Sequence, residues 1–202
     1  MAVSYELEDT LFAGGYRLVA GMDEVGRGCL AGPVMVGVTV IGTDEQPEFY
    51  GLKDSKQMTV KARERLAPII QEALACAVGE ATAGEIDKYG ITEALRIAGV
   101  RALQQLAILP EVIILDGTHN WLGKGKDFPL VHTQAKADTT SVTAAAASVV
   151  AKVTRDKYME TLAYEYPDYL WHKNKGYGTK AHKEAIKEFG VTEYHRKTWK
   201  LI

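Results

Sequence analysis

Two neighbouring carboxylates, Asp23 and Glu24, follow the apolar run Leu18-Val19-Ala20-Gly21-Met22 and lead into Val25-Gly26-Arg27-Gly28. Neighbouring strand positions point to opposite faces, so the pair can serve one site only if the backbone turns at the strand end, a turn that Gly26 and Gly28 permit. An acidic pair beyond a strand is ordinarily a solvated rim. Gly-Arg-Gly adds something more, backbone N–H and C=O groups that a ligand can approach with no Cβ in the way. Two other carboxylates have comparable settings. Asp116 ends the apolar run Val112-Ile113-Ile114-Leu115, and Asp138 stands just before an alanine-rich helical stretch, where it could equally act as a cap.

Four carboxylates within a few ångströms of one another repel, so such a cluster takes up protons or binds cations. With oxygen donors and no clustered His or Cys, the ions that suit are hard, Mg²⁺ or Mn²⁺. Two ions about 4 Å apart would lower the pKa of an attacking water and stabilise the oxygen leaving a phosphodiester. His119, close after Asp116, reads as a plain loop histidine.

The elements that must position these groups can be read in order. Strands at about 16–23 and 33–41 enclose the glycine loop. Leu52-Lys53-Asp54-Ser55-Lys56 is a polar turn, and Thr59 caps a helix over Val60–Leu74 with Leu66, Ile69, Ile70 and Ala73 on one face and Pro68 as a possible kink. A strand at Cys76–Thr82 precedes one helical region over 84–109, with Thr92 as its cap and Pro110 beyond it. Val112–Gly117 is a strand buried on both faces, Leu130–Gln134 another, and a helix runs from Thr140 to about Tyr164 before Pro167. Asp23, Glu24 and Asp116 thus fall at carboxyl ends of strands, where open α/β sheets hold their ligands.

The whole chain sets wide bounds. Its 202 residues, 47% hydrophobic and 25% charged, suffice for one well-buried core. Cys29 and Cys76 match neither a metal spacing nor a disulfide framework, which implies a reducing compartment, and Cys29 reads as a small buried thiol. The acidic start has no signal-peptide pattern, and no apolar run can span a bilayer, so a cytoplasmic protein without a membrane partner is expected. Residues 152–202 hold 11 Lys or Arg against 7 Asp or Glu, with Trp171, Tyr177, Tyr194 and Trp199 interleaved, while the rest of the chain is acidic. That distribution suits a protein gripping phosphates with one part and cations with another. No Walker-type Gly-x-x-x-x-Gly-Lys-Ser/Thr stretch is present, which sets aside a nucleotide hydrolase of that class.

Taken together, Asp23-Glu24-Val25-Gly26-Arg27-Gly28, Asp54-Ser55-Lys56, Leu115-Asp116-Gly117, Lys136-Ala137-Asp138, Ala151-Lys152-Val153-Thr154-Arg155-Asp156, Gly176-Tyr177-Gly178-Thr179 and His195-Arg196 resemble bacterial ribonuclease HII, in order, over roughly 17–199. The resemblance implies a ribonuclease H-like three-layer α/β fold, a mixed five-stranded sheet flanked by helices. It would comprise a catalytic domain over 1–164 and a basic helical extension over 165–202 that forms one unit with it and clamps the duplex. It implies an endoribonuclease that hydrolyses the RNA strand of RNA/DNA hybrids and nicks 5′ of single ribonucleotides in duplex DNA, leaving a 3′-hydroxyl and a 5′-phosphate. Asp23, Glu24, Asp116 and Asp138 would be catalytic and metal-binding, with two Mg²⁺ or Mn²⁺ ions. Gly26, Arg27 and Gly28 would contact the ribose 2′-hydroxyl, the group that separates RNA from DNA. Tyr177 would pack on the sugar at the RNA-to-DNA junction, and Lys56 would lie near backbone phosphate. Arg155 and Asp156 read as a helical ion pair, and a monomer is expected. The loop between Asp116 and Asp138, with Trp121 and Gly123-Lys124-Gly125-Lys126, is longer than the family pattern. The competing readings are another two-metal nuclease of the same fold and a non-catalytic nucleic-acid-binding module.

Overall fold

A computed structural model describes residues 3–123, 125 and 128–202; Lys124 and Lys126 of the long loop lie outside the described residues. The chain runs α1 (Glu6–Ala13), β1 (Leu18–Val25), β2 (Val34–Gly42), α2 (Val60–Ala73), β3 (Ala75–Ala81), α3 (Ala83–Tyr89), α4 (Ile91–Gln104), β4 (Val112–Asp116), β5 (Leu130–Gln134), α5 (Val142–Glu165), α6 (Trp171–Asn174) and α7 (Lys180–Phe189). Short 3₁₀ turns stand at Ser55–Gln57, Ala137–Thr139 and Pro167–Tyr169.

The strands form one mixed sheet in the order β3-β2-β1-β4-β5. β2 is antiparallel to both β1 and β3, whereas β4 runs parallel to β1 and to β5. The expected mixed five-stranded sheet is therefore present. β1 and β4 are central and covered on both faces, which is why Val19 to Met22 and Val112 to Leu115 are apolar without alternation.

Small residues set how closely the layers approach. A Cβ on Gly21 would lie 2.1 Å from the Ala144 nitrogen and one on Gly37 would lie 2.4 Å from the Ala147 carbonyl oxygen, so the alanine face of α5 rests directly on β1 and β2. On the opposite face, a Cβ on Gly79 would lie 2.1 Å from the Ala98 carbonyl oxygen of α4. Helices α1, α2 and α5 make one layer and α3 and α4 the other, completing the three-layer architecture.

Several boundaries differ from the sequence expectation. β1 continues to Val25, so both carboxylates of the pair stand on the strand, and the turn comes at Gly26 with φ +84°. The helical region 84–109 is two helices separated by Gly90 at φ +80°. Thr82, in a capping box with Glu85, starts the first; Gly90, not Thr92, precedes the second. α2 buries Arg63, Leu66, Ala67 and Ile70 and exposes Ile69, with Ala73 also outside. Pro68 lies on the exposed side of that helix, and the helix continues through it.

Two contacts fix α5 at its ends. Glu8 of α1 is fully buried, and its Oε1 accepts from the Ser141 hydroxyl at 2.6 Å, the Thr143 hydroxyl at 2.8 Å and the Thr143 backbone N–H at 2.9 Å. A negative charge at a helix N-terminus is favourable, and this one also anchors the start of α5 next to the turn that carries Asp138. At the other end, α6, α7 and the C-terminus fold back over the β1–β2 connection, burying Leu30, Ala31, Met159, Tyr169, Trp171 and Ile186 together. Among the described residues, no helix is long and apolar enough to cross a membrane.

Gly21→Ala should lose about 1–3 kcal/mol of stability, the usual cost of overpacking, because its Cβ meets backbone rather than a movable side chain. Gly28→Ala, whose Cβ meets nothing within 4 Å, should stay within about 0.5 kcal/mol. Denaturant unfolding checks both; equal losses would contradict the account of close packing.

Candidate active site

The parallel pairing of β1 with β4 matches Met22 to Leu115, so Asp23 and Asp116 occupy the next step along two adjacent strands. Both follow residues of the α4-facing core and therefore point, by strand alternation, toward α5. Asp23 is 2% exposed and faces Ser148 of α5. Its carboxyl is pushed up to about 8, mainly by burial, with Glu24 and Asp116 adding repulsion. Burial likewise raises the Glu24 carboxyl, whose Oε1 lies 3.5 Å from the Arg27 guanidinium. The Asp116 Oδ1 is buried and has no hydrogen-bond partner.

Asp138 is buried on the 3₁₀ turn before α5. It is not the cap, since the Ser141 side chain takes that role by accepting from the Ala144 N–H. The Lys56 ammonium lies 3.3 Å from its Oδ2, and burial together with Asp116 raises the Asp138 carboxyl. Asp54 fixes the Lys56 turn by accepting from the Lys56 backbone N–H at 2.9 Å, and the carboxylates of Asp23, Asp138 and Asp54 hold the ammonium above the usual lysine range. The structure thus gathers Asp23, Asp116 and Asp138 with Lys56 at one end of the sheet; the expected turn between Asp23 and Glu24 is absent, and Glu24, the next position on the same strand, reaches the group by proximity, its carboxyl feeling Asp116 and Lys56. His119 is exposed.

Among the described residues, no three acidic, imidazole or thiol groups already stand in a metal-holding arrangement. The donor set nonetheless fits a hard cation. An oxygen buried without a partner, beside a carboxyl forced toward its protonated form by burial and by other carboxylates, is the electrostatic signature of a site that a divalent ion would relieve.

Next to the carboxylates, the glycine loop is held from behind by two fully buried arginines. Arg196 donates to the carbonyls of Gly26 at 2.6 Å, Arg27 at 2.8 Å and Gly32 at 3.1 Å. Arg155 donates to Pro33 at 2.9 Å, Ala31 at 3.1 Å and Lys175 at 2.9 Å. Five donors in a rigid fork let one guanidinium hold several carbonyls at once. Gly26 is required twice over, by its φ of +84° and because a Cβ there would lie 2.1 Å from the Arg155 Nε. Gly28 is required by nothing in the protein, as its Cβ position is open. Arg27 and Gly28 are exposed, and among the described residues no protein group accepts from their N–H groups.

Tyr177 is 41% exposed and follows Gly176, whose carbonyl accepts from the N–H groups of Leu30 at 2.8 Å and Ala31 at 3.2 Å. The ring stands beside the glycine loop, near Cys29, with the Lys152 ammonium 5.9 Å from its centroid. Cys29 is buried, as expected.

The expected Arg155–Asp156 pair does not form. Asp156 pairs with Lys152 at 2.7 Å and Arg63 at 3.8 Å, while Arg155 turns inward to the loop. The signal was present: Ala147, Ala151, Arg155 and Met159 fall on one helical face, and a charge on a buried stripe implies dedicated acceptors. Arg196 and Glu8 carried no comparable signal, since each sits in a short polar stretch.

A model of the family described as Ribonuclease HII matches residues 20–202. The ribonuclease HII of Parabacteroides distasonis is 46% identical over 187 residues, covering 92% of this chain and 92% of that protein. The crystal structure of ribonuclease H2 from Pyrococcus horikoshii OT3 superposes with a TM-score of 0.75 at 31% identity, over 91% of this chain and 94% of that one. Bst-RNase HIII, solved in complex with Mn²⁺, shares the fold with a TM-score of 0.73 at 22% identity, over 92% of this chain and 68% of its own. With the family model spanning nearly the whole chain and a relative of that identity across it, the chain belongs to the ribonuclease HII family, the endoribonuclease hydrolases of ribonuclease H type.

Proposed function

We propose that this chain is a divalent-metal-dependent nuclease that cuts the RNA strand of RNA/DNA hybrids and nicks on the 5′ side of single ribonucleotides in duplex DNA. The observation that carries the reading is the buried, unpartnered Asp116 Oδ1 beside a strongly raised Asp23, next to a loop offering two free N–H donors. Asp23, Glu24, Asp116 and Asp138 would hold the Mg²⁺ or Mn²⁺ ions, with Asp23 and Asp116 side by side on adjacent strands. Bound there, such ions supply a water of lowered pKa and neutralise the leaving oxygen. Water adds to phosphorus and the bond to the 3′-oxygen breaks, leaving a 3′-hydroxyl and a 5′-phosphate.

The remaining residues bind and orient. The N–H groups of Arg27 and Gly28 meet the ribose 2′-hydroxyl, a group that is both donor and acceptor and that DNA lacks. The open space at Gly28 supports this, because a Cβ there would point at the ligand rather than at protein. Tyr177 packs against the sugar at the RNA-to-DNA junction. Lys56, with a side chain 68% exposed, can leave Asp138 for a backbone phosphate. The basic segment from 165 onward holds the duplex through phosphates, a term that weakens with salt. A monomer working in the cytoplasm suits this reading.

A duplex carrying one ribonucleotide, incubated with Mg²⁺, Mn²⁺ or a chelator, tests the proposal. The expected cut lies 5′ of the ribonucleotide and disappears with chelator; binding without turnover in either metal would favour a non-catalytic module instead. Asp23→Asn should lower turnover by about a thousandfold or more while keeping duplex affinity within about threefold, since it removes a ligand rather than a phosphate contact. Near-normal turnover in that variant would refute the assignment. Tyr177→Ala should reduce kcat/KM on the single-ribonucleotide duplex by about tenfold to a hundredfold and much less on long hybrids; equal losses on both would remove its junction role.

A further inference from the structure

His182 and His195 belong to no part of the proposed chemistry, yet both are buried, at 0% and 1% exposure, beneath the recognition loop. Their hydrogen bonds fix their tautomers. The Trp171 indole N–H can only donate, and it points at the His182 Nε2 at 3.0 Å, so that nitrogen is an acceptor. The His182 Nδ1 therefore carries the proton and donates to the Tyr177 carbonyl at 2.9 Å. The Thr192 backbone N–H donates to the His195 Nδ1 at 2.9 Å, which leaves the His195 proton on Nε2, 3.2 Å from the His182 Nε2. Both rings are neutral, in opposite tautomers, and each of the four ring nitrogens has a partner. A second proton on His182 would set its Nε2–H against the Trp171 and His195 N–H groups, and one on His195 would set its Nδ1–H against the Thr192 backbone N–H, leaving the Thr192 hydroxyl at 3.0 Å as its acceptor. Burial among Tyr169, Trp171 and Tyr194 disfavours that charge as well, as does Lys197 for His195.

The pair closes a circuit. His195 bridges to Ala31 at the end of the glycine loop, and the neighbouring Arg196 N–H donates to the Leu30 carbonyl at 2.9 Å. His195 binds His182, His182 binds the Tyr177 carbonyl, and the adjoining Gly176 carbonyl accepts from Leu30 and Ala31. The separation between the 2′-hydroxyl hook and the Tyr177 ring is thus set by two imidazoles and not by loop backbone alone.

We propose that His182 and His195 are positioning residues that hold Tyr177 at a fixed distance from the Gly26–Gly28 hook, and so set the preference for a single ribonucleotide at a DNA junction. The inference rests on the Tyr177 reading above. The two amide replacements of His182 separate positioning from mere support of the fold. Asn places an N–H near the Nδ1 position and can still donate to the Tyr177 carbonyl; Gln reaches toward the Nε2 position and cannot. The kcat/KM for a single-ribonucleotide duplex, divided by that for a long hybrid, is measured for the unmodified protein, His182→Asn, His182→Gln and Tyr177→Ala. The expected ratio falls about tenfold in His182→Gln, as in Tyr177→Ala, and is largely kept in His182→Asn. If Tyr177→Ala changes the ratio and both His182 variants leave it alone or lower it equally, the positioning role is wrong while the junction role stands. If Tyr177→Ala leaves the ratio unchanged, both fall. Imidazole ¹⁵N chemical shifts of the unmodified protein near pH 6 give an activity-free readout. The expected result is an Nδ1–H tautomer at His182 and an Nε2–H tautomer at His195; an imidazolium or the reverse tautomer at either would overturn the circuit.

Discussion

Two carboxylates on adjacent parallel strands, with their backs to an apolar helix face, are the constraint around which this molecule is built. Burial is the chief cost of charging Asp23, and repulsion from Glu24 and Asp116 adds to it. The rise of Asp23 to about 8 corresponds to a penalty on the order of 5 kcal/mol against its charged form. No fold gains stability from such an arrangement. It persists because β1 and β4 are locked by the ladder and by cores on both faces, so the register that brings Met22 beside Leu115 also brings Asp23 beside Asp116. The strain is retained where a cation can relieve it.

The same logic explains the alanines of α5. A helix resting on bare backbone at Gly21 and Gly37 comes close enough for Ser148 to face Asp23, and the fully buried Glu8 anchors the start of that helix where Asp138 enters. The close approach sets the depth of the site. A bulkier helix face would lift Ser148 and the Asp138 turn away from the strand ends together.

Much of this was legible in the chain. The apolar runs ending in Asp23 and Asp116 read directly as central strands, because a parallel strand between helices needs no polar alternation, and the carboxylates followed from where such strands end. The extent of β1 was misread by two residues because Asp and Glu disfavour strands in isolation, whereas here the ladder to β2 carries through to Val25. Gly90 was missed as the break between α3 and α4 because helical periodicity runs through it; its cost shows only in a φ of +80°. Arg155 was misassigned for a different reason. A charged neighbour at the next position suggested an ion pair, but adjacent helical positions point apart, and only the fold reveals that the inward side meets carbonyls of a loop more than a hundred residues away.

α5 has a part in both halves of the site. Ser148 near its start faces Asp23, and Arg155 two turns later holds the carbonyls behind the glycine loop. At 1.5 Å per residue these two points are about 10 Å apart along a rigid rod, so the spacing between the carboxylates and the glycine loop is set by helix geometry rather than by the loop's own stiffness. Arginine suits the far end because lysine could not serve three carbonyls in one plane, and Arg196 repeats the device from the C-terminal segment. A loop that glycine makes pliable is held here because the carbonyls of Gly26, Arg27, Leu30, Ala31, Gly32 and Pro33 are all engaged from the protein side. The exposed tip at Arg27 and Gly28 keeps backbone N–H groups that no described protein group accepts from.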